Sequence, residues 1–489
     1  MDISRRSFLK IAGGTLAAAG FTTGIGVKPV FAQPRKIRYA QEVTTICPYC
    51  GVGCGIIAHV RGGKVVNTEG DPDHPINRGA LCSKGSALYQ IANNDKRMSK
   101  VLYRAPGADA WKEVEWDWAL DKIARNLKKT RDAGFETTNA AGEVVNRCIN
   151  MAAIGGAALD NEEVYCLTKM NRALGLVYVE HQARLCHSST VAGLAGCFGR
   201  GAMTNHWNDI QHADAILALG GNPAENHPIS FKWVNEARSK RGAKLICVDP
   251  RFTRTAATAD IYARLRPGTD IAFLGGMINY AIEKDRIQWD YVREYTDASY
   301  LVNPDFKGPA DLNGIFSGLA GTKYDKASWG YQLDETGNPK KDPSMQDPNC
   351  VFQLLKRHYS RYTAKKVCEL TGTDPQDFEA VCDAFTATYK PEKSGTIMYA
   401  MGTTQHTYGS QNVRIFAVLQ LLLGNIGVSG GGINALRGES NVQGSTDHGA
   451  LFHILTGYLK VPTSAQPTLA AYNEANTPKS NDEKSLNWW

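Results

Sequence analysis

Cys47, Cys50 and Cys54 lie in one short loop and Cys82 stands apart, in the spacing C-x2-C-x3-C-x27-C. Four thiolates offered to one centre suit either structural zinc or an iron-sulfur cluster. Zinc sites favour paired C-x2-C knuckles, so three ligands in one loop plus a remote fourth favour a 4Fe-4S cluster. Gly51, Gly53 and Gly55 give that loop the backbone freedom to curl around a metal. Lys84, just beyond the last ligand, is either a solvated charge or a cation between this cluster and a second redox centre. Cys186-His187 joins a soft metal ligand to a group that titrates near neutrality, a pairing suited to metal binding coupled to proton transfer. In isolation such a pair is more ordinarily a core cysteine with a bystander.

These groups need elements to hold them. Gly55–Val60 and Lys64–Thr68 alternate as strands around Arg61-Gly62-Gly63, a hairpin signal. Asp214–Gly220 and Ala243–Asp249 read as apolar strands flanking a helix over 230–240, a β-α-β unit. The polar loop after the second strand, from Asp249 through Arg251 to Arg254, falls where open α/β sheets bind ligands. Asp249 can accept from sugar hydroxyls or a guanine edge, and Arg251 can pair with phosphate. A helix over 411–423, rich in Leu, Val and Ile, reads as core. The Gly-, Asp-, Lys- and Pro-rich stretch 306–348 reads as a surface insertion, either a docking element or an ordinary long loop.

A chain of 489 residues implies several domains and room for a large cofactor. The net charge of +7 is not gathered into Lys/Arg blocks, which gives nucleic-acid binding little support. Residues 1–32 carry Arg5-Arg6, a weakly apolar Gly/Ala run and Val30-Phe31-Ala32, the pattern of an export signal resembling the twin-arginine type. The eight cysteines outside the cluster set are scattered without framework spacing, and most of them read as buried thiols. Whether Cys368 and Cys382 pair is left open by spacing.

The run His181-Gln-Ala-Arg-Leu-Cys186-His187 resembles the active-site segment of formate dehydrogenases in the molybdopterin oxidoreductase superfamily, and the likeness extends over most of the chain. Position 186 is then either a native cysteine or a selenocysteine written as Cys. The resemblance implies an α/β multidomain fold. Its parts are a small 4Fe-4S domain of short strands over 40–100 and a Rossmann-like molybdopterin guanine dinucleotide domain over 181–437. A further α/β domain takes 101–180 with 438–489, and the family's C-terminal β-rich domain is expected to be absent. It implies that Asn222, Asp249, Arg251, Gly268 and Asp270 hold one dinucleotide, with Lys84, Met401, Gln405 and Glu439 also against the cofactor. Arg437 is implied to face formate, and a guanidinium suits a small carboxylate because two parallel donors fix its orientation.

The implied reaction takes formate to carbon dioxide. Cys186 holds molybdenum or tungsten in a bis-molybdopterin guanine dinucleotide centre, His187 accepts or stabilises a proton, and electrons leave through the cluster on Cys47, Cys50, Cys54 and Cys82. The implied partners are an iron-sulfur beta subunit, a membrane cytochrome and a chain supplying the missing domain, in the periplasm. Two other readings stand beside it: a related enzyme such as a periplasmic nitrate reductase, and a non-catalytic iron-sulfur electron-transfer fragment. Apolar surface is expected to be exposed in this chain alone.

Overall fold

The two strands expected around residues 214–249 form the middle of a five-stranded parallel sheet. Its spatial order is Ile261–Ala263, Lys244–Val248, Ala215–Leu219, Gly395–Tyr399 and Ile433–Ala435. The structure is a computed structural model that describes residues 37–477. The expected export signal over 1–32 lies outside those residues. Ala215–Leu219 and Gly395–Tyr399 are buried at every position, as continuous apolar runs must be when both faces of a sheet are covered.

Successive side chains on these strands enter different cores. Leu217, Leu219, Ile397 and Tyr399 join helices Asp270–Glu283 and Gly409–Leu422. Ile216, Leu245 and Met398 join Trp207 and Trp233, and with them Cys47, Val52 and Cys54 of the front loop. The cysteine loop is therefore packed onto the second face of the sheet. The helix expected over 230–240 runs Ser230–Arg241, and that expected over 411–423 runs Gly409–Leu422.

At the front, Gly55–Arg61 and Lys64–Gly70 form the expected antiparallel hairpin. A third strand, Gln41–Ile46, pairs on the other side of Gly55–Arg61 and leads straight into Cys47. All six of its residues are exposed.

A second unit pairs Phe135–Thr138, Val144–Ile154 and Leu176–Glu180 in one sheet, beside helices Trp116–Gly134 and Asn161–Ala173. The chain returns to it after Arg437. The Asn441 N–H donates to the Ala157 carbonyl at 3.0 Å, and the Arg172 guanidinium donates to the carbonyls of Leu451, Phe452 and Ile454. Helix Trp116–Gly134 buries only Ala119 and leaves Trp116, Leu120 and Ile123 exposed. All twelve cysteines are unpaired, so Cys368 and Cys382 do not form a disulfide. No helix among the described residues is long and apolar enough to cross a membrane.

Candidate active site

Cys47, Cys50, Cys54 and Cys82 line one cavity, closed by Val52, Leu81, Pro228 and Ile229. Burial raises the thiols of Cys47 and Cys50 above their ordinary range and takes Cys54 up to about 12, with the neighbouring cysteines adding to the effect. No three His, Cys, Asp or Glu side chains among the described residues converge as the ligands of one ion would. Four cysteines lining one cavity suit a cluster, which takes one thiolate at each iron. Lys84 lines the same cavity, and its Nζ donates to the Glu225 carbonyl at 3.3 Å.

Glu225 belongs to the turn Pro223–Asn226, on the rim of a second cavity of about 280 Å³. This cavity opens at the carboxyl ends of Ala215–Leu219 and Gly395–Tyr399, where the sheet's connections diverge to opposite sides, the place such sheets bind nucleotides. Asn222, Asp249, Arg251, Asp270 and Met401 all line it, and Gly268 is held at its edge by the Tyr408 hydroxyl, which donates to the Gly268 carbonyl at 2.7 Å. Two backbones cross beneath. The Gly402 N–H donates to the Gly220 carbonyl at 3.0 Å, and Gly220 has φ +61°, so neither position accepts a side chain without displacement. Burial raises both Asp249 and Asp270, with Asp249 adding to the effect on Asp270. The Asn222 Oδ1 is already taken by the Thr255 backbone N–H and hydroxyl, so it braces the rim as well as lining it.

Cys186 lies in the helix Gln182–Phe198, which kinks at His187 (φ −134°). His181 caps this helix, its Nδ1 accepting from the Ala183 N–H at 3.4 Å. Thr446 donates its hydroxyl to the Val442 carbonyl, so His181 Nε2–H donates to Thr446 Oγ1 at 3.1 Å. Burial, aided by Arg184 and Arg437, lowers His181 to about 4 and keeps it neutral for both tasks. Thr404 donates to the Cys186 carbonyl at 2.7 Å and Gln405 to the Leu185 carbonyl at 3.1 Å, fastening the turn that carries Cys186 to the segment after Gly395–Tyr399.

The Cys186 thiol is raised by burial, against the opposing pull of Arg437 and of the Gly438 backbone N–H, with Glu439 adding to the rise. Cys186, Arg437 and Glu439 are therefore neighbours. Arg437 donates to the Gly201 carbonyl at 2.9 Å and to Gln443 Oε1 at 3.3 Å, while its buried Nε has no partner. The guanidinium is thus left one hydrogen bond short in a buried setting. His187 is fully buried and lowered to about 3, chiefly by burial and then by Arg437. Its ring nitrogens face the Leu436 carbonyl and Thr190 Oγ1, both at 3.2 Å, so neither is free in this arrangement.

The residues missing from the sequence reading are His227, Trp207, Thr190, Tyr399 and the capping role of His181. His227 and Trp207 act through backbone carbonyls far away in the chain, for which sequence carries no local signal, while Thr190 and Tyr399 join their hydroxyls across 209 positions.

The molybdopterin oxidoreductase family model matches residues 97–489, and the molybdopterin oxidoreductase Fe4S4 domain model matches 40–94. The chain is 53% identical to the formate dehydrogenase subunit alpha of Megalodesulfovibrio gigas, over 100% of this chain and 49% of that protein. It is 47% identical to the nitrate-inducible formate dehydrogenase major subunit of Escherichia coli (strain K12), over 100% and 49%. It is 34% identical to the F420-dependent formate dehydrogenase subunit alpha of Methanocaldococcus jannaschii, over 86% and 51%. The chain thus spans about half the length of these curated relatives. In fold it is similar to acetylene hydratase from Pelobacter acetylenicus, with a TM-score of 0.55 at 21% identity over 78% of this chain and 43% of that one.

Proposed function

The chain belongs to the molybdopterin oxidoreductase family, with that family's Fe4S4 domain at its front, and from this we propose that it carries the formate-oxidising site of a formate dehydrogenase catalytic subunit. The observation that carries the reading is the meeting of Cys186 with the buried Arg437, whose Nε is unpartnered. The names of the relatives favour formate over nitrate.

When bound, molybdenum or tungsten on bis-molybdopterin guanine dinucleotide takes up the electron pair of formate, and the 4Fe-4S cluster passes electrons on. Cys186 supplies a sulfur ligand to that metal. Arg437 turns its free donor to the carboxylate and holds it beside Cys186. Carbon dioxide, one proton and two electrons leave formate. His187, neutral with both nitrogens engaged, fixes the turn behind Cys186; to take the proton it must first release Thr190 or Leu436. Asp249, Arg251 and Asp270 meet one dinucleotide, with Met401, Gln405 and Glu439 toward the pterin side. Lys84 supplies positive charge between cluster and cofactor.

In this reading residues 1–32 direct export, an iron-sulfur beta subunit and a membrane cytochrome receive the electrons, and further chain covers the apolar face of Trp116–Gly134. The test is formate-dependent dye reduction, beside nitrate-dependent dye oxidation, in full-length protein with its metal and pterin content measured. Formate turnover with metal present is expected. A metal- and pterin-loaded protein inert to formate rejects the reading, and cluster iron without pterin supports an electron-transfer module instead.

A further inference from the structure

Three residues, Gly51, His227 and Trp207, close a ring around the Arg437 backbone. The Gly51 N–H, in the cluster loop, donates to the Arg437 carbonyl at 2.9 Å. His227 Nε2–H donates to the same oxygen at 2.7 Å. The His227 ring lies against Trp207, centroids 5.7 Å apart and planes at 26°. Trp207 Nε1–H returns to the Gly51 carbonyl at 3.0 Å. Both aromatic residues are nearly inaccessible, at 5% for Trp207 and 3% for His227. The approach is so close that a Cβ on Gly51 would stand 2.6 Å from the Arg437 Cβ.

Each contact has a direct physical consequence. The carbonyl of Arg437 accepts two hydrogen bonds, which leaves its peptide plane little freedom to rotate. The guanidinium grows from that fixed backbone toward Cys186. The loop that supplies one of the two donors also carries Cys50 and Cys54. His227 follows directly on the turn Pro223–Asn226, whose Glu225 carbonyl holds Lys84 and whose Asn226 lines the dinucleotide cavity.

We propose that His227 and Trp207 are positioning residues that tie Arg437 to the cluster loop, so that the site's hold on a small carboxylate depends on the order of the loop bearing Cys50 and Cys54. This inference rests on the formate reading for its kinetic consequence and on the structure alone for its mechanical one.

The experiment uses the full-length holoenzyme in three variants. His227→Phe keeps the stacked ring and removes the donor; His227→Gln keeps a donor; Trp207→Phe keeps the ring and removes the N–H. The formate KM is expected to rise about tenfold in His227→Phe with kcat within about twofold, and to return toward the parental value in His227→Gln. Amide hydrogen exchange, measured at equal iron content, is expected to quicken in Trp207→Phe both at 49–53 and at 434–440. Exchange confined to the neighbourhood of residue 207, with KM unchanged in His227→Phe, overturns the proposal. If the loaded parent does not turn over formate, the functional reading fails and exchange at 434–440 alone decides the coupling: quickened, it stands; unchanged, it falls.

Discussion

His187 Nε2 lies 3.2 Å from the carbonyl oxygen of Leu436, and because that oxygen can only accept, the proton of a neutral His187 resides on Nε2. Nδ1 must then accept from the Thr190 hydroxyl, and Thr190, its proton spent, accepts from the Tyr399 hydroxyl at 2.8 Å. One carbonyl fixes the direction of a four-membered chain buried behind Cys186.

The chain has a pH consequence. His187 and His181 are depressed in the folded protein to about 3 and about 4, below the ordinary 6.5 they regain on unfolding. The unfolded state therefore binds more protons in that window, and stability present above pH ~6.5 is lost as pH falls through about 4 toward about 3. Melting temperature measured from pH 8 to pH 4 should fall steeply below 6.5. A His181→Asn/His187→Gln variant should show a shallower slope; an unchanged slope counts against buried neutral histidines as its source.

Removing the sulfur of Cys186 should leave the fold standing, since that side chain is only half buried and its carbonyl, not its thiol, is held by Thr404. Formate-dependent dye reduction by Cys186→Ala should drop by at least about a hundredfold, more than loss of an outer partner of a metal ligand costs. Circular dichroism should be unaltered. Retention of parental activity would remove Cys186 from the metal.

Asp249 and Asp270 differ from ordinary surface carboxylates in being largely buried at the cavity wall, at 9% and 5% exposure. Replacing either with Ala should weaken dinucleotide retention about tenfold or more, the scale of a hydrogen bond to a charged group. Pterin content after gel filtration reads this directly. Full pterin in both variants would show that the nucleotide does not contact them.

Gly220→Ala tests the crossing of backbones below the cavity. The added Cβ would lie 2.4 Å from Thr403 Oγ1 at a backbone φ of +61°, so strain and overpacking act together. A destabilisation of about 1–3 kcal/mol is expected, seen as a lower melting temperature and a cavity that no longer retains the dinucleotide.

What the sequence disclosed follows from how local each signal is. Ala215–Leu219 and its following helix and strand were readable because continuous apolar runs and their flanking turns lie side by side in the chain. The cysteine spacing named its own centre, and five of the expected cofactor residues line one cavity. Gln41–Ile46 escaped notice because a fully exposed strand leaves no alternation to read. His181, His227 and Trp207 escaped because their partners are a helix N-terminus or a carbonyl more than 150 positions away. A main-chain acceptor has no residue type by which sequence could announce it.

The strand order of the parallel sheet also sets a timetable for biosynthesis. Leu219 and Thr403, which meet across the cavity floor, are 184 positions apart. At a synthesis rate of roughly 5–20 residues per second, the first wall of the cavity waits on the order of ten to forty seconds for the second to leave the ribosome. Until then the apolar strand Ala215–Leu219 lacks its central neighbour, and no complete pocket exists to receive a dinucleotide. A dinucleotide can be seated only once the segment through Thr403 has emerged and closed the cavity floor.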